Sequence, residues 1–446
     1  MTTLGTEGLA KAQSSGMQRI VVTALAAVLV LAGIGRADAQ NGPASCSVSG
    51  QNLYVRDLMR DYYLWNTYLP NVNPTSYPSP EAYLEAVRYK PLDTHFSYIT
   101  GAAASNAFYS DSEFIGYGFS NSVLGEELRV LQVFPDSPAS EAGLARGDSI
   151  LEVDGRSVPE LIQSGQIGSA FGASDIGVST EILFRSVAGV ERRERMTKRA
   201  VTIPTVSLTR AYDVDGRRVG YVFFRNFVRP SVAALDEAFA ALQELGVSEL
   251  VLDLRYNGGG LVDVATHLAS LIGGVVTAGQ PFATFSHNAR NAFRNETMRF
   301  TDPGSPAPTL SRLIVVTSRS SASASELVIN GLRPFMPVIL IGDTTYGKPV
   351  GQYLFDFCDK VLAPVSFSVK NANGEADYYD GFAPTCTAGD GIDRELGDPQ
   401  EASLAEALYY ASHDTCSAPP EAARARRAKV TFDKRAEGWQ SLVNAQ

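Results

Sequence analysis

The sequence is poor in histidine and cysteine, and neither residue occurs in a metal-binding pattern. The 446 residues include four histidines, scattered along the chain, and four cysteines, none of them in a C-x-x-C motif. A tetrahedral zinc site needs four such ligands at suitable spacings. The sequence therefore predicts no zinc site, and we expect no cofactor.

The sequence also lacks a long run of basic residues. Acidic residues outnumber basic ones by 48 to 38, which gives a formal net charge of -10. Proteins whose main partner is a nucleic acid usually carry a basic patch or stripe, so we predict no nucleic-acid partner. The chain is too long for one compact core, and two or three domains are expected.

Only one stretch, near the N-terminus, is apolar enough to interact with a membrane. Lys11 and Arg19 precede the apolar run 20–34, and the small residues Ala37 and Ala39 follow it. This order is typical of a secretory signal peptide, so we predict cleavage after Ala39 and a periplasmic or secreted protein. An uncleaved anchor is the alternative, although the run is short for a membrane span.

In an exported protein, an even number of cysteines predicts disulfides. The four cysteines allow three pairings. We expect Cys358 to pair with Cys386, which brackets a local segment, and Cys46 to pair with Cys416, which joins the two ends of the mature chain.

Apolar patterning divides the chain after the signal peptide, residues 1–39, into three domains and a tail. The regions are an N-terminal helical domain (40–112), a domain of short strands (113–200), a core of alternating strands and helices (201–416) and a polar tail (417–446). Such alternation predicts an α/β layer with a largely parallel sheet. The core strands are predicted at 219–224, 249–254, 313–317 and 338–341, and the helices at 231–245, 261–271 and 324–332.

A serine cluster, SSASASE, lies between the predicted strand 313–317 and the predicted helix 324–332. Ser323 and Glu326 have the spacing of a capping box, which stabilises a helix start. A strand-to-helix turn of a parallel sheet also places side chains at the carboxyl end of the strands, beside the positive end of a helix. Nucleophiles are often found at such turns.

A serine nucleophile needs a base, and Lys348 is the candidate. It lies in YGKPVGQ, just after the predicted strand 338–341. Parallel strands would place it at the same end of the sheet as the serine cluster. The alternative interpretation is an ordinary solvated loop lysine.

The motifs SASASE and YGKPVGQ, together with the order of the domains, resemble the carboxyl-terminal processing proteases, also called tail-specific proteases. The resemblance covers residues 50–410. It implies a multidomain α/β protein whose protease core is of the ClpP/crotonase-like type. It also implies that Ser323 is the nucleophile, that Lys348 is the base and that Gln352 assists the lysine. A glutamine can orient a neutral amine without stabilising its charged form as a carboxylate would.

Three glycines follow the predicted strand 249–254. In the resembled family such a turn supplies one backbone donor of the oxyanion hole, and the amide after the nucleophile, here Ala324, supplies the other. The family often has proline at the first glycine, and proline cannot donate; Gly259 and Gly260 therefore both stay open. Asp253 and Arg255 are expected to stabilise the turn as an ion pair.

The segments FIGYGFS (114–120) and SPASEAGLARGD (137–148) resemble a PDZ domain. The resemblance implies a carboxylate-binding loop at Tyr117, Gly118 and Phe119, whose backbone amides would hold the free C-terminus of a peptide that adds as a strand.

These features together predict an exported serine endopeptidase that binds the free C-termini of protein or peptide substrates and cleaves them through an acyl-enzyme. A non-catalytic binder of peptides or apolar ligands on the same fold is the first alternative, and an adaptor built around the PDZ domain is the second. The presence of Ser323, Lys348 and Gln352 favours the enzyme.

Overall fold

The N-terminal region is mainly helical and shares its hydrophobic core with strands from much later in the chain. The computed structural model describes residues 42–304 and 307–417; the predicted signal peptide, its anchor alternative and the tail from residue 418 lie outside them. Side chains of this region, such as Val55 and Tyr63, pack in one cluster with Phe355, Phe357 and Val365. The elements are α1 (Val48–Tyr62), α2 (Pro80–Val87), β1 (Tyr98–Gly101) and α3 (Ala102–Asp111), with 3₁₀ turns at Asn66–Tyr68 and Pro74–Ser76.

The region predicted to form a PDZ domain contains a five-stranded antiparallel sheet in the order β3-β4-β5-β7-β8, with β6 paired to β5 and β2 paired to β9. The short strands predicted between residues 113 and 200 are confirmed. The strands are β2 (Glu113–Gly116), β3 (Phe119–Leu124), β4 (Glu127–Val133), β5 (Ser149–Val153), β6 (Arg156–Ser157), β7 (Ser179–Arg185), β8 (Glu191–Thr197) and β9 (Arg199–Thr202); the helices are α4 (Pro138–Glu141), α5 (Val158–Gln163) and α6 (Ile167–Ala170).

The C-terminal half of the described chain contains strands and helices in alternation, as the apolar runs predict. The strands are β10 (Val206–Val214), β11 (Arg217–Phe224), β12 (Glu249–Asp253), β13 (Pro281–His287), β14 (Glu296–Arg299), β15 (Leu313–Thr317), β16 (Val338–Gly342), β17 (Val350–Gln352), β18 (Phe355–Phe357), β19 (Lys360–Ala363), β20 (Val365–Lys370) and β21 (Cys386–Thr387). The helices are α7 (Ser231–Glu244), α8 (Val262–Thr277), α9 (Ala324–Leu332) and α10 (Ala402–His413), with a 3₁₀ turn at Ala289–Arg294.

The central sheet has the order β10-β11-β12-β15-β16-β21. All neighbours from β11 onward are parallel, and β10 is the antiparallel edge strand. Strands β12 and β15 are buried at every residue, because helices α7, α8 and α9 cover one face of the sheet and α10 covers the other. The carboxyl ends of β12, β15 and β16 therefore lie side by side, where the sequence predicts the reactive groups.

Two smaller sheets connect this core to the N-terminal region. One has the order β14-β13-β20-β17, and the other pairs β1 with β19 and β19 with β18. Within the described ranges, no helix combines the length and the apolarity needed to cross a bilayer.

The predicted disulfide pairing is wrong. The bonds are Cys46–Cys358 and Cys386–Cys416, and neither Cys358–Cys386 nor Cys46–Cys416 forms. Cys46 lies just before α1, which packs against β18: the rings of Tyr54 and Phe357 are 5.5 Å apart. This long-range contact, which sequence order does not reveal, brings Cys46 to Cys358.

The two disulfides should differ in their effect on stability. Cys46–Cys358 spans 312 residues and Cys386–Cys416 spans 30, so the chain-entropy model gives the longer bridge about 2 kcal/mol more stabilisation. Replacing Cys46 and Cys358 by serine should lower the thermal unfolding midpoint more than replacing Cys386 and Cys416. Equal midpoints for the two double variants would contradict this, and peptide mapping without reduction should recover both bridges.

Candidate active site

The serine cluster forms a strained turn between β15 and α9. Ser323 is the N-cap of α9 and has φ 55° and ψ -112°, a backbone conformation that is rare for residues other than glycine. Residues held in such conformations occur mainly where the surrounding structure enforces them, often at functional sites.

The three alternating serines of this turn have different roles. Ser321 Oγ donates to the carbonyl of Leu254 at 2.8 Å, and Ser325 Oγ donates to the carbonyl of Asn257 at 2.9 Å. Within residues 42–304 and 307–417, Ser323 Oγ donates to no acceptor. The middle serine is therefore the one whose hydroxyl proton is available, a distinction that comes in the sequence only from the family resemblance.

The carboxylate of Glu326 joins the serine turn to the lysine loop. Its Oε2 accepts from the backbone amides of Ser323 at 3.0 Å and Lys348 at 2.8 Å. Its Oε1 accepts from Thr345 Oγ1 at 2.6 Å and from the Gly347 amide at 2.7 Å. Burial raises the pKa of this carboxyl, while the four hydrogen bonds favour its ionised form. The predicted capping residue thus fixes two segments of chain to each other.

Lys348 carries the amine that the sequence assigns as the base. Burial lowers its pKa to about 8, against the charges of Asp93 and Glu326, which favour the ammonium. Nζ donates to Gln352 Oε1 at 2.8 Å and lies 5.9 Å from the centroid of the Phe96 ring. In the described chain Nζ and Ser323 Oγ form no hydrogen bond.

No motif in the sequence indicates two residues that contribute to this site, Phe96 and Asp93. Gln352 Nε2 donates to the backbone carbonyl of Phe96, and the carboxylate of Asp93 acts on the lysine charge. Both residues belong to the N-terminal region. A backbone acceptor contributed from about 250 positions away leaves no motif in the sequence.

The glycine turn after β12 packs directly against the serine turn. A Cβ atom on Gly259 would lie 2.8 Å from the carbonyl oxygen of Ala322 and from the amide nitrogen of Ala324, so only glycine fits there. The Gly259 amide donates to Asn257 Oδ1 at 2.9 Å, whereas the amides of Gly260 and Ala324 have no acceptor among the described residues. This difference favours Gly260 over Gly259 as the oxyanion donor that accompanies Ala324.

The predicted ion pair between Asp253 and Arg255 is confirmed at 2.7 Å, and it belongs to a larger buried network. Arg255 also bonds both carboxylate oxygens of Glu401 at 2.8 and 2.9 Å. Asp390 accepts from Arg255 at 3.1 Å and from Arg146 at 2.7 Å. The network thus links the glycine turn to the predicted PDZ region, in which Arg146 lies.

The candidate carboxylate-binding loop presents main chain rather than side chains. Tyr117 is fully buried; its hydroxyl donates to Thr180 Oγ1 at 2.7 Å, and Lys198 Nζ lies 5.0 Å from its ring centroid. Gly118 has φ 90°, and β3, the edge strand of the sheet, begins at Phe119. An added peptide strand would meet backbone amides here.

Comparisons with known proteins agree with this arrangement. The family model described as Peptidase family S41 matches residues 218–385, and the model described as Peptidase S41 N-terminal domain matches residues 50–98. Over these two regions the chain is similar to peptidase family S41, a family of serine-type peptidases. A PDZ domain model matches residues 129–169, so the predicted resemblance is confirmed.

The curated relatives of this chain include processing proteases of algae and bacteria. A chloroplastic C-terminal processing peptidase of Tetradesmus obliquus is 28% identical over 53% of this chain and 51% of its own length. A carboxyl-terminal-processing protease of Synechocystis is 29% identical over 52% of each chain. The chain spans about half the length of these relatives.

Two solved structures have the same fold. A putative S41 protease of Bacteroides fragilis superposes with a TM-score of 0.66 at 26% identity, covering 81% of this chain and 97% of that one. A structure titled photosystem II D1 C-terminal processing protease has a TM-score of 0.51 at 23% identity, covering 79% and 98%; that likeness concerns the fold alone.

The pKa of the lysine predicts the pH dependence of peptide cleavage. Since burial lowers the pKa of Lys348 to about 8, the turnover rate kcat should rise as the pH approaches 8 and level off above it, as the amine loses its proton. The measurement is kcat on a fluorogenic peptide between about pH 6 and pH 10. A profile that is flat across this range would rule out a lysine base, and Lys348→Arg should be inactive throughout because guanidinium stays protonated.

Proposed function

We propose that this chain is an exported serine endopeptidase that uses Ser323 as its nucleophile and Lys348 as its base. The observation that carries the proposal is the shared Glu326 carboxylate, which binds the backbone amides of both residues through the same oxygen. The two segments therefore cannot separate without leaving a buried carboxylate short of donors.

The proposed reaction proceeds through an acyl-enzyme. Neutral Lys348 takes the proton of Ser323 Oγ as the oxygen attacks the carbonyl carbon of the peptide bond. The amides of Gly260 and Ala324 stabilise the oxyanion that forms. When the intermediate collapses, the C–N bond breaks and the lysine ammonium gives its proton to the leaving amine. Neutral Lys348 then takes a proton from a water molecule as the water attacks the ester carbon. The bond between this carbon and Ser323 Oγ breaks, the lysine ammonium returns the proton to Oγ, and the acid is released.

Gln352 is proposed to hold the lysine between these steps. It accepts from Nζ with an amide oxygen, which carries no net charge. A carboxylate at this position would favour the ammonium and raise the lysine pKa. The glutamine therefore positions the amine while leaving it free to titrate near neutral pH.

The PDZ domain is proposed to bind the free C-terminus of the substrate. The turn at Tyr117 and Gly118 leads into β3, an edge strand of the sheet, and a peptide can add to an edge strand. An unfolded segment upstream of the bound terminus would then reach Ser323. Export to the periplasm or beyond is supported by the two disulfides, since such bonds persist in oxidising compartments.

A non-catalytic binder remains the second candidate from the sequence. A binder would need neither an available hydroxyl on Ser323 nor a lowered pKa for Lys348. The two neighbouring serines, by contrast, both donate to backbone carbonyls. Titratable groups with shifted pKa values are concentrated at catalytic sites, so the endopeptidase is the better-supported function.

Loss of either dyad residue should abolish cleavage. Ser323→Ala and Lys348→Ala should each lower kcat by about a thousandfold or more, since members of a catalytic unit act together. The assay is digestion of an unfolded test protein, with thermal unfolding as a check on the fold. Ser320→Ala, a change in the same turn outside the proposed dyad, should retain activity within about threefold. Substantial activity in either dyad variant would refute the mechanism.

Recognition of chain ends should depend on the charge of the substrate C-terminus. Amidating a peptide's C-terminus removes a charge-assisted hydrogen bond, so cleavage should fall by about tenfold or more, mainly through KM. Gly118→Ala should remove the preference, because a Cβ there would lie 2.1 Å from Ser137 Cβ.

Gly125→Ala is the matched control for this experiment. Gly125 also has a positive φ of 67° in the same domain, but a Cβ there meets nothing within 4 Å. This variant should still prefer the free acid. If the unaltered enzyme cuts amidated and free peptides equally well, the PDZ domain does not bind the free C-terminus of the substrate.

A further inference from the structure

Both polar atoms of the Gln352 side-chain amide form hydrogen bonds, and their partners come from different parts of the chain. Oε1 accepts from Lys348 Nζ at 2.8 Å, and Nε2 donates to the backbone carbonyl of Phe96. The oxygen and nitrogen of a glutamine amide have nearly the same shape, so hydrogen-bond partners decide which of them faces the lysine. The carbonyl of Phe96 can only accept, and it therefore directs Nε2 toward itself and Oε1 toward the lysine.

The opposite orientation would change the chemistry of the base. An amide N–H facing Lys348 would donate to the lone pair of the neutral amine, which is the electron pair that must take the serine proton. The orientation set by Phe96 leaves that lone pair free.

The position of the Phe96 carbonyl depends in turn on Asp93. The Asp93 carboxylate is fully buried and accepts four hydrogen bonds. Oδ1 accepts from the amides of Phe96 at 3.0 Å and Ser97 at 2.9 Å. Oδ2 accepts from Tyr63 Oη at 2.9 Å and Ser97 Oγ at 2.6 Å. One side chain thus fixes the whole turn from residue 93 to residue 97.

The same turn is also attached to the strand beside Gln352. Ser97 Oγ accepts from the amide of Val365 at 2.9 Å, and Val365 is the β20 residue paired with Gln352 of β17. The Phe96 carbonyl is consequently fixed relative to the backbone of Gln352, as well as to its side chain.

We propose that Asp93 is a positioning residue of the peptidase site, and that the N-terminal region completes the site by orienting Gln352 toward Lys348. This inference rests on the proposed Ser–Lys mechanism. Asp93 affects the charge of Lys348 directly, and it affects the orientation of the amine through Phe96 and Gln352.

A double-mutant cycle on the mature protein tests the proposal. Asp93→Asn should lower kcat by about tenfold with KM changed less than about twofold, because the base is misoriented while substrate binding is untouched. Both losses are measured at about pH 10, where Lys348 is neutral with or without the Asp93 charge. In a Gln352→Ala background, Asp93→Asn should then change kcat by less than about twofold, since the residue through which it orients the lysine is gone. Additive losses in the cycle would overturn the proposal.

Asn52→Ala is the matched control within the same region. Asn52 is buried and its Nδ2 donates to the carbonyls of Pro74 and Tyr77, away from the turn of residues 93–97. The variant loses buried hydrogen bonds of the N-terminal region but should retain kcat within about twofold in both backgrounds. A tenfold loss in Asn52→Ala would mean that any damage to the region has this effect, and would also overturn the proposal.

A spectroscopic measurement tests the positioning role independently of the proposed peptidase function. The side-chain amide protons of Gln352, assigned by their loss in Gln352→Ala, should exchange slowly with water in the unaltered protein and faster in Asp93→Asn, but not in Asn52→Ala. Equal exchange in Asp93→Asn and the unaltered protein overturns the positioning role, whatever the activity. If the unaltered protein cleaves no substrate but exchange is still faster in Asp93→Asn, the peptidase function is refuted and the positioning role stands. If Asp93→Asn does not fold, Tyr63→Phe removes one of the four bonds and should give a smaller change in the same direction.

Discussion

The buried carboxylate of Glu326 is the constraint on which the arrangement of the site depends. An ionised carboxylate inside a protein is costly unless donors surround it, and within the described residues no basic side chain forms an ion pair with Glu326. Its four donors come instead from the serine turn and from the loop of residues 345–348. Only when both segments converge are all four donors present. The free energy that stabilises the carboxylate therefore also places Ser323, the proposed nucleophile, beside the loop of Lys348, the proposed base.

Burial also governs the charge of Lys348, and there it favours the uncharged amine. Removal from water disfavours the ammonium and lowers the lysine pKa, while Asp93 and Glu326 favour the ammonium. The lone pairs of both carboxylates are largely occupied by backbone amides and hydroxyls. Neither carboxylate forms an ion pair with Nζ within the described chain, so desolvation dominates and the amine can be neutral near pH 8.

Local patterns in the sequence predict the fold and the serine and lysine positions well, because each depends on nearby residues. Apolar runs locate β12, β15 and β16, and parallel pairing then places the following turns at one edge of the sheet. Helix α8 extends to Thr277, beyond the predicted end at residue 271, although Gly274 lies within it with a non-helical backbone. The Cys46–Cys358 disulfide and the acceptor at Phe96 depend on contacts 312 and 256 residues apart. Such contacts arise from packing, which no local spacing encodes.

The long-range contacts that the sequence does not reveal are also those that join the domains into one site. Arg146 of the PDZ domain donates to Tyr256 Oη at 2.7 Å and to the carbonyl of Leu131 at 2.7 Å. Tyr256 directly precedes Asn257, whose side chain holds Gly259. The PDZ domain thus contacts the glycine turn from one side, and the N-terminal region contacts the lysine through Gln352 from the other. Movement of the PDZ domain away from the core would separate the buried guanidinium of Arg146 from Asp390 and Tyr256, and breaking a buried charge from its partners is costly. The position of the PDZ domain and the geometry of the glycine turn, which carries a proposed oxyanion donor, are therefore coupled by the same network of charges that stabilises the fold.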